Sequence, residues 1–538
     1  MNTPIWEKEL SLDPDKEFLL HGVREGFHLI PPDIHLKPAE QNNYHSATNP
    51  HNKRKVESTI HNEILEGNYC FSSHKPLIIS ALGSVPKPDS DEVRLIHDCS
   101  MPKNKGINSY ITVDHHKFST IDDAIKLVKP GYFLAKIDLH HAYRSIPIHP
   151  TSYKATGIKW KFSHHNHFTY LFDTRLPFGA SSSPSIFHRV TQSVKRMMNR
   201  RGFSGILVYL DDFLIVAQTE EECRRAFDTL SKLLLQLGFR LSTHKVTPPT
   251  QCLPFLGIEI NTTLCTLKVP PKKLNDIKSS IAAFSQKRSA SKRQLQQLAG
   301  RLNWAAKVVY GGRTFLRRIL DLMNTLECST SKCRLTLEFH RDIQWWSEFL
   351  DSFNGQRHFL NELPIVDLQT DSSSVAAGCF FRGDWLYCNF MVDFPAIMSL
   401  HINFKETIAV VLAACRWASA WSNHHVIVYT DNMATVSIIN KGTTKNIIVM
   451  VFLRLLFWLS ATYNFRITAR HIRGSDNVTA DAISRLHEPS SIQTFYNLLC
   501  MFMPLHMVAN ISLLKHMSLA SYFLLCFRYF GFSPRHRS

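Results

Sequence analysis

Two adjacent aspartates, Asp211 and Asp212, lie between two apolar runs in the segment GILVYLDDFLIVA (205–217). Two short apolar runs around a polar break predict a β-hairpin, and here the turn of that hairpin is acidic. Like carboxylates repel each other and burial adds to the cost, so the pair is unfavourable unless a cation lies beside it. A solvated Asp-Asp turn in an ordinary hairpin is the alternative. The pair therefore predicts a hairpin with a metal site at its tip.

A third aspartate, Asp138, ends the apolar run YFLAKIDL (132–139), which predicts a buried strand. Carboxylate oxygens are the ligands that Mg²⁺ prefers, and phosphate oxygens complete its shell. Two such ions about 3.5–4 Å apart stabilise the attacking and leaving oxygens of an in-line phosphoryl displacement. We therefore expect two Mg²⁺ ions per active site, with Mn²⁺ as the alternative ion.

The charge of the chain fits a polyanionic partner. Its 538 residues include 62 Lys and Arg against 44 Asp and Glu, a formal net charge of +18. Basic residues release counterions from phosphates when they bind nucleic acid. A soluble protein that is merely basic is the alternative, so charge favours nucleic acid only in combination with the motifs.

The motifs around these aspartates resemble, in order, the palm motifs of retroelement reverse transcriptases. The matching segments are IDLHHAY (137–143), LPFGASSSP (176–184), YLDD (209–212) and LSTHKV (241–246). The resemblance implies that Asp138, Asp211 and Asp212 bind the metals. It also implies that Lys245 donates a proton to the leaving pyrophosphate.

The same resemblance implies a nucleotide pocket. Tyr143 takes the position of an aromatic ring that excludes a ribose 2′-OH, and Phe178 and Gly179 lie beside the nucleotide. Upstream, VPKPDSDEVRLIHDCS (85–100) is similar to the fingers segment. That similarity implies that Lys87 and Arg94 bind the triphosphate, and the planar fork of arginine suits phosphate. For each of these basic residues, a solvated surface charge is the alternative.

A second set of acidic residues lies between residues 363 and 487. Asp371, Glu406, Asp431 and Asp481 occur in QTDSSS, FKETIAV, YTDNMA and TADAIS, in predicted strand ends or helix starts. Their order resembles that of the RNase H family, which implies a second metal pair. His471, in RHIRGSDNVTAD, matches a histidine of that family that helps proton transfer or product release. A helix cap for a lone aspartate, and a surface imidazole for His471, are the alternatives.

These features predict a multidomain α+β chain: a right-hand polymerase with fingers, palm and helical thumb or connection, followed by an α/β RNase H-like domain. We expect five segments. They are an N-terminal lead-in (1–75), fingers and palm (76–262), a helical thumb or connection (263–360), the RNase H-like domain (361–487) and a C-terminal tail of unknown role (488–538).

The resemblance implies an RNA-directed DNA polymerase with ribonuclease H activity. Its partners would be an RNA template, a DNA primer, an RNA–DNA hybrid and deoxynucleoside triphosphates. The wording of LGSVPK, RLIHDCS, LPFGASSSPSIFHRV and WWxxFL is most similar to DIRS-type (tyrosine-recombinase) retrotransposons. We expect an intracellular protein, in cytoplasm or nucleus, without stable membrane association. A catalytically inactive, domesticated remnant that only binds nucleic acid is the alternative.

Overall fold

The computed structural model describes residues 1–86, 92–112, 116–309, 311–353, 355–361 and 363–502. Its contacts divide the chain into two units, Met1–Leu256 and Gly257–Ser538. Each unit buries its own hydrophobic core. The five segment boundaries expected from the sequence remain predictions.

The first unit combines helices with several small sheets. Its helices are α1 (Thr3–Glu9), α2 (Lys16–Glu25), α3 (His45–Thr48), α4 (Pro50–Leu65), α5 (Ile121–Leu127), α6 (Ser183–Arg200) and α7 (Glu220–Leu237). Its strands are β1 (Ala39–Glu40), β2 (Tyr69–Phe71), β3 (Ile78–Ile79), β4 (Ala81–Pro86), β5 (Val93–Asp98), β6 (Phe133–Asp138), β7 (Gly157–Trp160), β8 (Thr169–Asp173), β9 (Ile206–Tyr209), β10 (Asp212–Ala217), β11 (Thr247–Thr250) and β12 (Cys252–Phe255).

One sheet of this unit carries the acidic hairpin. Its strand order is β11-β6-β10-β9, and all its neighbours are antiparallel. Helices α6 and α7 pack against it, and their apolar faces fill the core beneath the strands. The sequence predicts α7 correctly to its ends, because the Thr219 hydroxyl accepts the Glu222 N–H (3.2 Å) and Gly238 closes the helix at φ 96°.

The N-terminal segment is part of this core. Trp6 is fully buried, and its indole Nε1 donates to the carbonyl oxygen of Leu237 at 3.0 Å. Leu10 and Leu19 are buried in the same cluster. The polar, Asn- and His-rich N-terminal segment therefore contributes apolar side chains to the core of the first unit.

The second unit is helical at first and then alternates strands and helices. Its helices are α8 (Pro271–Ser285), α9 (Lys292–Ala305), α10 (Arg317–Asn324), α11 (Leu337–Ser352), α12 (Phe390–Asp393), α13 (Ile402–Trp417), α14 (Met433–Lys441), α15 (Ile447–Tyr463), α16 (Val478–Ser484) and α17 (Pro489–Phe502). Its strands are β13 (Ile258–Asn261), β14 (Thr266–Lys268), β15 (Ser289–Ser291), β16 (Lys332–Arg334), β17 (Gln356–His358), β18 (Ile365–Ser372), β19 (Ala376–Phe381), β20 (Asp384–Asn389), β21 (His425–Thr430) and β22 (Arg466–His471).

A five-stranded mixed sheet organises the later part of this unit. The order is β20-β19-β18-β21-β22, in which β18, β21 and β22 are parallel and β19 is antiparallel to its neighbours. Helix α13 is buried along almost its whole length, as its apolar sequence requires. Together the two sheets and their helices confirm the predicted α+β fold class.

The apolar pattern of PFLGIEI (254–260) predicts a single strand. This prediction is wrong, because the chain forms two strands, β12 and β13, with a break between them. Leu256 and Gly257 have φ values of 50° and 80°, which no strand tolerates.

Within the part of the chain that the structure describes, no helix combines the length and apolarity needed to cross a bilayer.

Candidate active sites

The first acidic site lies at one end of the β6–β10–β9 sheet. Asp212 is the first residue of β10, and it pairs in register with Asp138, the last residue of β6. Asp211 lies in the turn of the hairpin, where Leu210 has φ 53° and the Asp211 carbonyl accepts the Leu139 N–H at 3.1 Å. Backbone pairing therefore brings the three aspartates together, although Asp138 and Asp211 lie 73 positions apart in the sequence.

Burial and mutual repulsion disturb these carboxyl groups. Burial raises the pKa of Asp212 to about 6, against the attraction of Lys136, whose Nζ lies 3.0 Å from its Oδ1. Burial, together with the charge of Asp138, also raises the pKa of Asp211. Asp138 is 5% exposed, and the Nζ of Lys245 lies 3.2 Å from its Oδ1. Three half-buried or buried carboxylates with too few counter-charges are a donor set that fits divalent cations.

The predicted nucleotide pocket lies beside these aspartates. The rings of Tyr143 and Phe178 have centroids 5.0 Å apart, and Tyr143 also meets Phe187 at 5.2 Å. Burial and the nearby Asp211 charge raise the pKa of Tyr143 to about 12, so the phenol is neutral. Phe178 is 55% exposed, which is unusual for a ring of its size.

Gly179 and Arg94 are held by strand β5. A Cβ at Gly179 would overlap the carbonyl oxygen of His97, so only glycine lets the loop pass this strand. The Gly179 carbonyl accepts the Nδ2 of Asn108 at 3.0 Å. Arg94 lies on the same strand with its side chain exposed. Lys87 lies outside the described residues.

The second acidic site lies on the five-stranded sheet. Among the described residues, Asp371 on β18, Glu406 on α13 and Asp431 after β21 each offer an oxygen, and these oxygens all lie within 4.8 Å of one another. Burial, with the charges of Asp371 and Asp431, raises the pKa of Glu406 to about 9. Burial also raises the pKa of Asp371. This set too fits a divalent cation, because metal binding would remove the repulsion.

Asp481 and His471 are not members of that cluster, although the charge of Asp481 helps to raise the pKa of Asp371 and His471 pairs in register with Thr430, the neighbour of Asp431. The carboxylate of Asp481, on α16, accepts the Nε of Arg485 at 2.8 Å, and its side chain is 45% exposed. His471 is the last residue of β22 and is exposed. Asn477 is buried, and its Nδ2 donates to the Thr370 carbonyl at 3.0 Å, which fastens the loop before α16 to β18.

Comparison with known proteins identifies a domain that carries the first acidic site. The family model for "Reverse transcriptase (RNA-dependent DNA polymerase)" matches residues 85–260, which include the three aspartates at the sheet edge. The chain contains a reverse transcriptase domain of the retroviral and retroelement type.

Related sequences extend beyond that domain. The enzymatic polyprotein of cauliflower mosaic virus (strain Strasbourg) is 24% identical over 397 residues, covering 71% of this chain and 54% of the polyprotein. That of figwort mosaic virus (strain DxS) is 23% identical over 403 residues with the same coverage. The Gag-Pol polyprotein of gibbon ape leukemia virus is 27% identical over 177 residues, covering 32% of this chain and 10% of the polyprotein. The chain spans about half the length of the mosaic-virus relatives.

Solved structures show the same fold. A foamy viral protease–reverse transcriptase "dRH" in complex with double-stranded DNA aligns with a TM-score of 0.53 and 19% identity, covering 88% of this chain and 82% of that one. The foamy viral protease–reverse transcriptase in complex with an RNA/DNA hybrid aligns with a TM-score of 0.52 and 18% identity, covering 88% of this chain and 63% of that one.

Several residues that contact the two acidic sites were not identified from the sequence. Lys136 interrupts an otherwise apolar strand two residues before Asp138, and this alternation places both on one face, so the signal was available. Ser484 donates to Asp371 Oδ2 at 2.7 Å, and Arg485 pairs with Asp481. The i,i+4 spacing of Asp481 and Arg485 was a signal for their pairing, whereas nothing in the sequence separates Ser484 from an ordinary helix residue.

Proposed function

We propose that the chain is an RNA-directed DNA polymerase that extends a DNA primer on an RNA template. The observation that carries the proposal is the register of Asp212 against Asp138, with Asp211 in the adjoining turn, inside a reverse transcriptase domain. Bound Mg²⁺ ions, two per site, would lower the energy of the attacking 3′ oxygen and of the leaving pyrophosphate. Asp138, Asp211 and Asp212 would hold them.

The surrounding side chains fit the other tasks of the reaction. Lys245 reaches Asp138 but keeps 55% of its side chain exposed, so its ammonium can turn to a leaving group. The neutral ring of Tyr143 would stand where a ribose 2′-OH goes. Arg94, exposed on β5, and Lys87 would bind the triphosphate of an incoming deoxynucleotide.

We propose in addition that the second unit is a ribonuclease H that cuts the RNA strand of the hybrid. The convergence of Asp371, Glu406 and Asp431 within 4.8 Å favours this activity. Asp481 would complete the ligand set once its carboxylate separates from Arg485. His471 would transfer a proton or assist the release of product. The foamy viral relative bound to an RNA/DNA hybrid supports a hybrid as substrate.

The polymerase proposal is tested by primer extension with the purified chain. A labelled DNA primer annealed to RNA is incubated with deoxynucleoside triphosphates and Mg²⁺, with EDTA as the control. Metal-dependent extension supports the proposal. A chain that binds the primer–template but adds no nucleotide in Mg²⁺ or Mn²⁺ would be the inactive, domesticated remnant instead.

The ribonuclease proposal needs a separate assay. RNA labelled at its 5′ end is presented alone and paired with DNA, and cleavage is followed with and without Mg²⁺. We expect metal-dependent cleavage of the paired RNA only, because the hybrid's shape and the 2′-OH together mark that strand. Equal cleavage of single-stranded RNA would contradict it.

We also propose a DIRS-type retrotransposon origin and a place of action in cytoplasm or nucleus, where RNA templates and nucleotides occur. The origin rests on the motif wording given above. A tyrosine-recombinase reading frame beside the gene would support it, and a retroviral integrase or a viral coat frame there would contradict it.

A further inference from the structure

A buried group of charges lies directly behind the proposed nucleotide pocket. Arg144 Nη1 donates to both carboxylate oxygens of Asp173 at 2.7 Å, and Arg144 Nε lies 3.0 Å from Glu63 Oε2. The side chains of Arg144 and Asp173 are 8% and 1% exposed. Burial would raise the pKa of Asp173, but the charges and hydrogen bonds of Arg144 and His97 together outweigh burial, so the pKa is lowered.

Stability alone does not explain this pair. Removing two charges from water costs several kcal/mol per ion, and a well-packed apolar pair of similar volume often stabilises a protein as well or better. What an arginine–carboxylate pair adds is geometry, since the planar guanidinium fixes its partner in direction and distance. The elements that the pair joins therefore indicate its role.

The pair joins the two segments that carry the pocket's aromatic rings. Arg144 directly follows Tyr143 in the short turn after β6, whereas Asp173 ends β8, five residues before Phe178. The Asp173 carboxylate also accepts the N–H of Arg175 at 3.0 Å, which fixes the start of the Phe178 segment.

Backbone hydrogen bonds join the same two segments. The Ile148 N–H donates to the Thr174 carbonyl at 3.0 Å, and the Leu176 N–H donates to the Ile146 carbonyl at 3.1 Å. The ion pair therefore adds to backbone hydrogen bonds that already hold the two segments side by side. The ring of Tyr143, on the first segment, contacts that of Phe178, on the second, with centroids 5.0 Å apart.

Strand β5, on another side of the proposed nucleotide pocket, also lies close to the Asp173 carboxylate. His97 on β5 is buried, and its Nδ1 lies 3.9 Å from Asp173 Oδ2. The carbonyl of His97 is the group that Gly179 passes closely. Three separate stretches of chain, those of Tyr143, Phe178–Gly179 and strand β5, thus converge on Asp173.

We propose that Arg144 and Asp173 form a positioning pair that fixes Tyr143 against Phe178 and thereby sets the discrimination between deoxyribonucleotides and ribonucleotides. The proposal rests on the polymerase function proposed above. Selectivity is a difference between two transition-state binding energies, so it depends on where the excluding ring stands. A misplacement of about 1 Å can cost on the order of 10²-fold in rate.

The test is single-nucleotide incorporation with a matched deoxynucleotide and ribonucleotide. For R144K and Asp173→Asn we expect the ratio of the two kcat/KM values to fall at least about tenfold, since a shift of about 1 Å is enough for such a loss. R196K is the matched control, because Arg196 makes a two-point pair with buried Asp13 (2.9 and 2.7 Å) elsewhere in the same unit. Its selectivity should equal that of the wild type.

A double-mutant cycle separates positioning from general damage. In a Tyr143→Ala background the R144K change should no longer alter selectivity, since the ring through which the pair acts is gone. An R144K effect that persists undiminished without Tyr143, or an unchanged ratio in both variants, would overturn the proposal. So would loss of the cooperative thermal transition in both variants, because the pair would then be structural. A wild-type chain that incorporates no deoxynucleotide would refute the polymerase function itself.

Discussion

Tyr143 is the residue whose side chain should decide sugar selection. Its ring packs between Phe178 and Phe187, close to the aspartates at the sheet edge. Tyr143→Ala should open space for a 2′-OH and raise ribonucleotide incorporation relative to deoxynucleotide incorporation. Single-nucleotide kinetics measure that ratio. Tyr143→Phe is the control, because it keeps the ring and should keep the selectivity; an unchanged ratio in the alanine variant would make Tyr143 a packing residue only.

We expect the buried Glu406 side chain, when it is charged and no metal is bound, to lower the free energy of unfolding. Its folded pKa, raised to about 9 mainly by burial, lies far above the unfolded value of about 4.5, so the folded state binds the proton more tightly. That contribution to the free energy of unfolding is fully present below pH of about 4.5 and is lost as pH rises toward 9. Glutamine resembles the protonated form and does not titrate.

We therefore expect Glu406→Gln to be more stable than the wild type in metal-free buffer at pH 8. The difference should shrink toward pH 5, and saturating Mg²⁺ should narrow it by stabilising only the wild type. Thermal unfolding in EDTA across this pH range measures it, at about 2–4 °C per kcal/mol. If the glutamine variant melts below the wild type at pH 8 in EDTA, the charged Glu406 side chain does not destabilise the folded protein.

At the residue level, the sequence predicts the acids better than their partners. Asp138, Asp211 and Asp212 end or interrupt apolar runs, where a carboxylate is conspicuous. Ser484 is an ordinary helix residue, and only the fold brings it to Asp371, whereas the i,i+4 spacing of Asp481 and Arg485 already predicts their pairing.

At the scale of elements, the loop at Gly179 depends on its close approach to strand β5. Gly179→Ala would force a Cβ into the carbonyl of His97, so the loop or the strand must shift. We expect a loss of about 1–3 kcal/mol, as for overpacking elsewhere, measured by urea unfolding. Gly300→Ala is the control, because nothing lies within 4 Å of a Cβ at that helical position and alanine should stabilise it by up to about 1 kcal/mol. Equal stability of both variants would contradict the close packing.

Elements with strong local signals were predictable, and those set by backbone strain were not. Helix α7 has a threonine cap, acids in its first turn and a glycine stop, so its ends follow from local chemistry. The break between β12 and β13 depends on positive φ at Leu256, a residue that gives no warning of it. The pairing of Asp212 with Asp138 likewise depends on a register that no single strand encodes.

At the scale of the whole molecule, a buried charge cluster joins helices α10 and α11 of the second unit to helix α15, which lies later in the same unit. The Oδ1 of Asp342 on α11 lies 3.0 Å from Nη1 of Arg318 on α10 and 3.5 Å from Nε of Arg454 on α15. The side chain of Asp342 is 1% exposed. Asp342→Ala would leave two arginines facing each other, one of them buried. We expect it to destabilise the second unit by about 3–5 kcal/mol in urea unfolding.

The exposed pair of Asp321 and Arg317 provides the control for that prediction. Both side chains are more than half exposed, so Asp321→Ala should cost at most about 1 kcal/mol. If Asp342→Ala costs no more than Asp321→Ala, the cluster does not hold the unit together. The sequence suggested a boundary near residue 360, and it could not reveal this cluster, because its three members lie on three separate helices.

We have proposed that one chain carries two independent metal-dependent carboxylate sites. A single reaction tests it: an RNA template labelled at one end, paired with a DNA primer labelled with a second dye, with deoxynucleotides and Mg²⁺. We predict that Asp211→Asn abolishes primer extension and leaves template cleavage largely intact, and that Glu406→Gln does the reverse. Asp228→Asn, an exposed acid on α7, should change neither. Extension by Asp211→Asn at the wild-type rate, or loss of both activities from either single change, would contradict the account.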